Sequence, residues 1–291
     1  MAALMQHSLR IGAQPKLISI FWRKVYEVTN DNQHNGFTKH GIQHLSPSSI
    51  NMAAGSMSAW CVRYLMNERF PSGGAAERGK AVESGVSHGL FTEAGDEECV
   101  DVALEAFDTA MRSEFFFGLE DRDKFRQEVI AMTPLALGAL RPLGKPTPAQ
   151  DGSVQHEIGL SCRFREGEAG TVHIKGFLDF YYEDAPLVVD LKTTGRAPSE
   201  FSQAHAIQAS VYAMAKKCPV KFLYVTPKKV VWHEITGEQM DACLGLVKSQ
   251  AARLERYLSL SDDPAQLTRS APHDPSTFYW RGAEHLLPLL E

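Results

Sequence analysis

Pro186-Leu187-Val188-Val189-Asp190-Leu191-Lys192 decides how this chain is read. A run this apolar reads as a strand buried on both faces. Alternate residues of a strand share a face, so Asp190 and Lys192 point one way and Leu191 the other. A carboxylate and an ammonium in such a place are costly unless they bind something. Upstream, Gly176-Phe177-Leu178-Asp179 sets a second carboxylate in a strand context. Two acids and a lysine on adjacent strands are what metal-assisted phosphodiester hydrolysis requires.

Read singly, Asp179 and Asp190 are each ordinary strand-end acids, and Lys192 is an ion-pair partner of Asp190. Read together they differ, because the two strands are separated by one turn and are expected to be neighbours. Two carboxylates brought close oppose each other's ionisation unless a cation lies between them. A hard, oxygen-preferring ion such as Mg²⁺ or Mn²⁺ resolves that conflict and polarises a phosphoryl oxygen. The carbonyl of Leu191 is a further oxygen ligand. Lys192 stands beside the ion, where it can orient the attacking water or balance charge on the phosphate. Gln208 and Tyr212 lie at i and i+4 on the helix that follows and share a face. Within the small, apolar string Ala204–Ala215 they need partners. Holding Lys192 or a phosphate is one use for them, and capping the core is another.

The chain has 291 residues and a formal net charge of −5, with 44% hydrophobic and 22% charged residues. That is ordinary globular composition. It contains no apolar run of membrane-spanning length, so no membrane is expected. The cysteines Cys61, Cys99, Cys162, Cys218 and Cys243 are scattered and form no CxxC pair. This argues against a zinc ribbon, an iron–sulfur cluster or a disulfide framework and for a reducing, cytoplasmic setting. The first 26 residues hold Arg10, Lys16, Arg23 and Lys24 and no acid, so organellar targeting stays open. Residues 93–108 carry seven acids and no lysine or arginine, whereas Lys216, Lys217, Lys221, Lys228 and Lys229 cluster after the proposed site. A local basic surface is enough for a polyanionic substrate, although both clusters also read as solvated faces.

Ser46-Pro47-Ser48-Ser49 reads as a helix start, with a helix continuing to about Phe70. Further helices are expected over Ala75–Leu90, Asp96–Phe117 and Arg122–Leu140, with residues 141–152 a linker. Residues 153–164, 170–183 and 186–194 then read as an antiparallel meander, with Gly167-Glu168-Ala169-Gly170 as its first turn. A helix opening at Pro198-Ser199, strands at Val220–Thr226 and Val230–Thr236, and a helix over Gln239–Ser259 complete the pattern. The expected architecture is α+β. An N-terminal arm (1–44) precedes one domain (45–260), and a tail (261–291) follows it. The domain has a helical part (45–140) and a sheet core (153–260).

These motifs in this order resemble the PD-(D/E)xK nuclease superfamily, most of all its RecB-like and lambda-exonuclease-like branch. The resemblance rests on Gly176-Phe177-Leu178-Asp179, Val189-Asp190-Leu191-Lys192-Thr193-Thr194 and Gln208-x-x-x-Tyr212, and it extends over roughly residues 45–235. It implies a restriction-endonuclease-like mixed sheet flanked by helices. It also implies a metal ligand on an upstream helix, where Arg78-Gly79-Lys80-Ala81-Val82-Glu83 supplies Glu83. Asp190 stands where many members have glutamate, and the iron–sulfur cysteines of some relatives have no counterpart.

By this resemblance the chain is a Mg²⁺- or Mn²⁺-dependent DNA exonuclease acting in recombination, repair or phage genome processing, in a bacterial or phage-infected cell. Glu83, Asp179, Asp190 and the Leu191 carbonyl hold one or two ions. Asp179, Asp190, Lys192, Gln208 and Tyr212 form the catalytic set, and Ser48, Arg63, Arg78 and Thr193 are the residues expected to meet DNA. The substrate is duplex ends or single strands. A homo-oligomer and a single-strand annealing or recombination partner follow from the same likeness. A structure-selective endonuclease and a non-catalytic DNA-binding protein on the same fold are the alternatives.

Overall fold

A computed structural model of the chain describes residues 35–112, 116–117, 121–165 and 170–291. The basic N-terminal stretch and the first turn of the meander lie largely or wholly outside the described residues. In chain order come α1 (Gly36–Lys39), β1 (His44–Leu45), α2 (Pro47–Gly55), α3 (Met57–Tyr64), β2 (Ser72–Gly73) and α4 (Gly74–Thr92). Next are α5 (Asp96–Ala110), β3 (Phe116–Phe117), α6 (Arg122–Leu140), β4 (His156–Arg163), β5 (Thr171–Leu178) and β6 (Phe180–Tyr182). The chain continues with β7 (Leu187–Thr193), α7 (Gln203–Lys216), β8 (Val220–Val225), β9 (Val230–Glu234), α8 (Gly237–Leu258) and α9 (Pro264–Ser270). The architecture is mixed α/β.

The expected meander splits at Asp179. Strands β1-β5-β4 form one sheet, and β6-β7-β8-β9 form a second. β4 pairs antiparallel with β5, and β6 pairs antiparallel with β7, with Phe180 opposite Val189. The division follows from where the neighbours of Asp179 are buried. Leu178 belongs to a core shared by the first sheet, α7 and α8, whereas Phe180 belongs to a core shared by the second sheet and α4, α5 and α6. Asp179 is therefore the crossing point between two cores. From β7 the chain rises through α7 and returns as β8, parallel to β7. β9 closes the order antiparallel to β8.

Other boundaries also depart from expectation. The helix expected to reach Phe70 is two helices, because Ser56 takes an extended backbone and caps the second through Ala59 N. A side chain at Gly55 would put its Cβ 2.8 Å from the ring of Tyr279, so the break also makes room for the tail. The helix begun at Asp96 stops at Ala110, and Phe116–Phe117 instead pairs in parallel with Ser72–Gly73. Helix α7 starts after Ser202, whose Oγ accepts from His205 N at 3.2 Å. The Pro198 carbonyl expected inside that helix is bound instead by His233. Residues 141–152 are tied to the sheet rather than free, since Thr147 N donates to the Tyr181 carbonyl at 2.7 Å.

The described residues of both terminal segments are packed against the domain. Within the expected arm, Phe37 and Ile42 are buried and His44–Leu45 pairs in parallel with β5. In the tail, Trp280 packs with Ala59, Val62, Ala283 and Leu286 in a small third core. The domain therefore extends beyond residues 45–260 at both ends. Among the described residues no helix is long and apolar enough to cross a membrane.

Trp280 is only 2% exposed, so Trp280→Ala is expected to destabilise the whole domain by about 3 kcal/mol, the scale of large-to-small core changes. Urea unfolding followed by far-ultraviolet circular dichroism measures this. A loss below about 0.5 kcal/mol would show that the tail is not part of the cooperative unit.

Candidate active site

The bend at Asp179 and the strand β7 bring the two acids together. One step beyond the Phe180–Val189 pair, Asp179 stands opposite Asp190, and its Oδ2 accepts from Leu191 N at 2.8 Å. A side-chain oxygen thus takes the place that a continuing β6 strand would have occupied. In β7, Val188 N and Thr194 N donate toward β8, so by alternation the N–H and C=O of Leu191 face the opposite side, where Asp179 lies. The Leu191 carbonyl consequently lies on the Asp179 side of β7, away from β8.

Asp190 is fully buried. Its Oδ2 accepts from Gln208 Nε2 at 3.0 Å, and the same nitrogen donates to Tyr212 Oη at 2.8 Å. Tyr212 Oη in turn donates a hydrogen bond to the Phe177 carbonyl at 2.7 Å. Gln208 and Tyr212 therefore form a relay of hydrogen bonds from β7 through α7 to β5, and the partners they need are found. Gly176 makes the relay possible: a Cβ there would lie 2.7 Å from the Tyr212 ring. The Lys192 ammonium forms an ion pair with Asp190 Oδ1 and lies 5.3 Å from the centre of the Phe222 ring. Oδ1 is completely buried, and the ammonium is the partner it has.

Helix α4 supplies the third carboxylate. Glu83 Oε1 accepts from Gln155 Nε2 at 2.7 Å. Glu83 is close enough to Asp190 and Lys192 for their charges to act on it. With its side chain turned to Gln155, Glu83 does not close a cage; among the described residues no three His, Cys, Asp or Glu side chains form a ready metal site. Helix α4 meets β7 closely at Gly79, where a Cβ would lie 3.3 Å from Thr193 Oγ1.

Electrostatics agree with the crowding. Burial pushes the Asp179 carboxyl well above its usual range, and the Asp190 charge pushes it further. Burial also raises Asp190, against the pull of Lys192. Glu83 is raised by burial, with the Gln155 hydrogen bond opposing. Burial alone would lower Lys192, but Asp190 and Asp179 outweigh it and hold the ammonium charged. A charged Lys192 cannot serve as a general base; it can supply positive charge to an anion. The raised pKa values of the buried carboxylates fit a cation with oxygen preference, which would relieve their mutual crowding.

The residues expected to meet DNA fare differently. Arg78 is buried, ion-paired with Glu128, and donates through Nε to Thr193 Oγ1 at 3.3 Å. Its fork braces α4, α6 and β7. Thr193 shares that brace. Ser48 is exposed in the first turn of α2 beside Ser46 Oγ, and exposed Arg63 lies over the Tyr64 ring. Among the described residues, neither forms a hydrogen bond or ion pair with the carboxylate cluster. The lysines after Lys216 do not form one patch either. Lys216 and Lys217 precede β8, whereas Lys228 and Lys229 follow it, at the end of the sheet where Lys192 lies.

Four site residues had not been singled out. His205 hydrogen-bonds through Nδ1 with Tyr224 Oη at 2.7 Å, and burial, helped by Lys192, lowers its pKa to about 4. Its spacing to Gln208 and Tyr212 (i, i+3, i+7) was the available signal. Gln155 and Glu128 carry no local signal, because one ends a linker and the other sits on an amphipathic helix.

No protein-family model and no curated protein matches the chain. A solved structure titled "Crystal structure of SSO0001" is similar at 15% identity and a TM-score of 0.29, covering 63% of this chain and 76% of that one. A likeness this low carries no argument about family or activity.

The raised pKa of Asp179 gives a stability test. A carboxyl whose folded pKa exceeds its unfolded one costs nothing below about pH 4 and destabilises increasingly as pH rises through the folded value. Asp179→Asn keeps an acceptor for Leu191 N and removes the charge. It is expected to stabilise the metal-free protein at pH 8, with the gain fading toward pH 4. Thermal melts across that range in EDTA measure it, and a variant less stable than wild type at pH 8 contradicts the assignment.

Proposed function

We propose that this chain is a divalent-metal-dependent DNA nuclease on a restriction-endonuclease-like core, acting as an exonuclease on DNA ends. The observation that carries the reading is the buried Asp179–Asp190 pair, with Lys192 charged beside it and Gln208–Tyr212 behind it. Nothing in the packing requires two adjacent acids there, and burying them without a cation is costly. The order of these groups along the chain is the nuclease motif order.

Asp179, Asp190 and the Leu191 carbonyl would hold Mg²⁺ or Mn²⁺, with Glu83 joining by releasing Gln155. When bound, the ion supplies Lewis-acid activation of water and neutralises charge at the phosphoryl group. Lys192 contributes a fixed positive charge near the scissile phosphate, where negative charge grows in the transition state. Gln208 holds Asp190 Oδ2 and leaves Oδ1 free to turn from Lys192 toward a ligand. Tyr212 fixes the Gln208 amide by accepting from it, so the relay sets the orientation of Asp190. The neutral His205–Tyr224 pair borders the site without adding charge.

Wild-type protein with Mg²⁺ or Mn²⁺ is expected to degrade linear duplex DNA and leave covalently closed circles intact, with EDTA abolishing turnover. Asp190→Ala and Lys192→Ala should each lower the rate by at least about a hundredfold, as loss of a charge-stabilising group does, while circular dichroism shows a retained fold. Cleavage of the closed circle would make the chain an endonuclease. Wild-type-like, EDTA-sensitive cleavage by either variant would remove the site from the mechanism.

A further inference from the structure

Phe177 presents an unusual combination. Its carbonyl anchors Tyr212 in the relay to Asp190, and it lies two residues before Asp179. Its ring, however, is 52% exposed. The relay uses only the backbone of Phe177. The ring points away from the core, on the outer face of the sheet formed by β1, β5 and β4, where the burial of β5 alternates residue by residue.

The rest of that face is polar, and most of it can carry positive charge. Lys175 and His173 follow Phe177 along β5 at two-residue steps, roughly 6.7 Å apart, and His44 of β1 pairs with His173. Across the ladder, Glu157 lies opposite Phe177, Gly159 opposite Lys175, and Ser161 opposite His173. Arg163 ends the row opposite Thr171. Charges on the face act on one another: the His44 imidazole is held low by its partial burial and then by Lys175. Among the described residues of the face the acid is Glu157, and its Oε1 pairs with Lys175 Nζ at 2.9 Å. Gly159 leaves a gap in the side-chain layer beside Lys175.

A half-exposed aromatic ring two residues from Asp179, on a sheet face that also carries Lys175, Arg163 and the imidazoles of His173 and His44, suits an unpaired nucleic-acid strand. Single strands are bound by stacking bases on aromatic rings and tracking phosphates with cations. A duplex would offer its bases no access to Phe177. A protein partner would more often meet an apolar patch than one ring among Lys, His and Arg.

We infer that the outer face of the β1-β5-β4 sheet is a single-strand track, in which Phe177 stacks a base next to the scissile bond while Lys175 and Arg163 follow the phosphates. This deepens the nuclease reading and rests on it for the strand's destination. Binding can be measured apart from hydrolysis.

The experiment uses the full chain with a fluorescently labelled oligothymidylate. In EDTA, anisotropy is expected to show Phe177→Ala weakening binding about tenfold (about 1.4 kcal/mol), with Phe177→Trp keeping it. Lys175→Gln should reduce the slope of affinity against salt by about one phosphate contact. Glu157→Gln should tighten binding by freeing Lys175 from its carboxylate partner. With Mn²⁺, the ratio of kcat/KM on a single strand to that on a blunt duplex should fall about tenfold in Phe177→Ala. Turnover with Phe177→Ala binding and discriminating like wild type overturns the track and leaves the nuclease standing. Binding that depends on Phe177 without turnover on any DNA keeps the track and overturns the nuclease. Weakened binding in Phe177→Trp equal to that in Phe177→Ala would mean a steric rather than a stacking role, and would also overturn the track.

Discussion

Two carboxylates sealed next to each other, with one lysine to balance them, are the constraint around which this molecule is arranged. Asp190 is wholly buried and Asp179 nearly so. Three donors serve the pair. Leu191 N satisfies Asp179, Gln208 satisfies one Asp190 oxygen, and Lys192 faces the other. Leu191 and Lys192 belong to β7 and Gln208 to α7, so the cluster forms only when the bend at Asp179, β7 and α7 are together. The site and the fold are therefore coupled more tightly than a surface cleft would be.

The crossing at Asp179 explains much of the topology. A strand that continued through this residue would have paired its backbone with Leu191 and filled the place where the carboxylate now sits. By handing Leu178 to one core and Phe180 to the other, the chain opens that place. Helices α4 and α7 then close over it from opposite sides of β7. Their approach depends on two glycines, Gly79 against Thr193 and Gly176 against Tyr212. The Arg78–Glu128 ion pair holds α4 and α6 in register with the end of β7, a structural duty for a side chain that in isolation looks like a phosphate contact.

Much of the site was legible along the chain. Asp190 and Lys192 stood out because charges do not belong in an apolar strand. Asp179 stood out because it follows Gly-x-x in the neighbouring strand. The helical spacing of Gln208 and Tyr212 was sound, and the relay they make required no information beyond their shared face. The ends of helices were less legible: Ser56 and Ser202 look like any other serine until the backbone turns, and each proved to be a cap. The lysines that cluster in sequence around β8 are divided by the length of that strand.

The residue types and their spacing determined by themselves the strand and helix pattern, the pairing of acid with lysine, and the choice of oxygen donors, because these depend on periodicity and on the cost of burying charge. Tertiary structure alone decided which of them meet. Gln155 finding Glu83, Glu128 taking Arg78 out of reach of solvent, and His205 turning to Tyr224 are contacts between segments tens of residues apart or set by which face packs. No local preference encodes such contacts. They arise when two hydrophobic cores close around one bend and leave each polar group to whatever partner the packing has brought within hydrogen-bond distance.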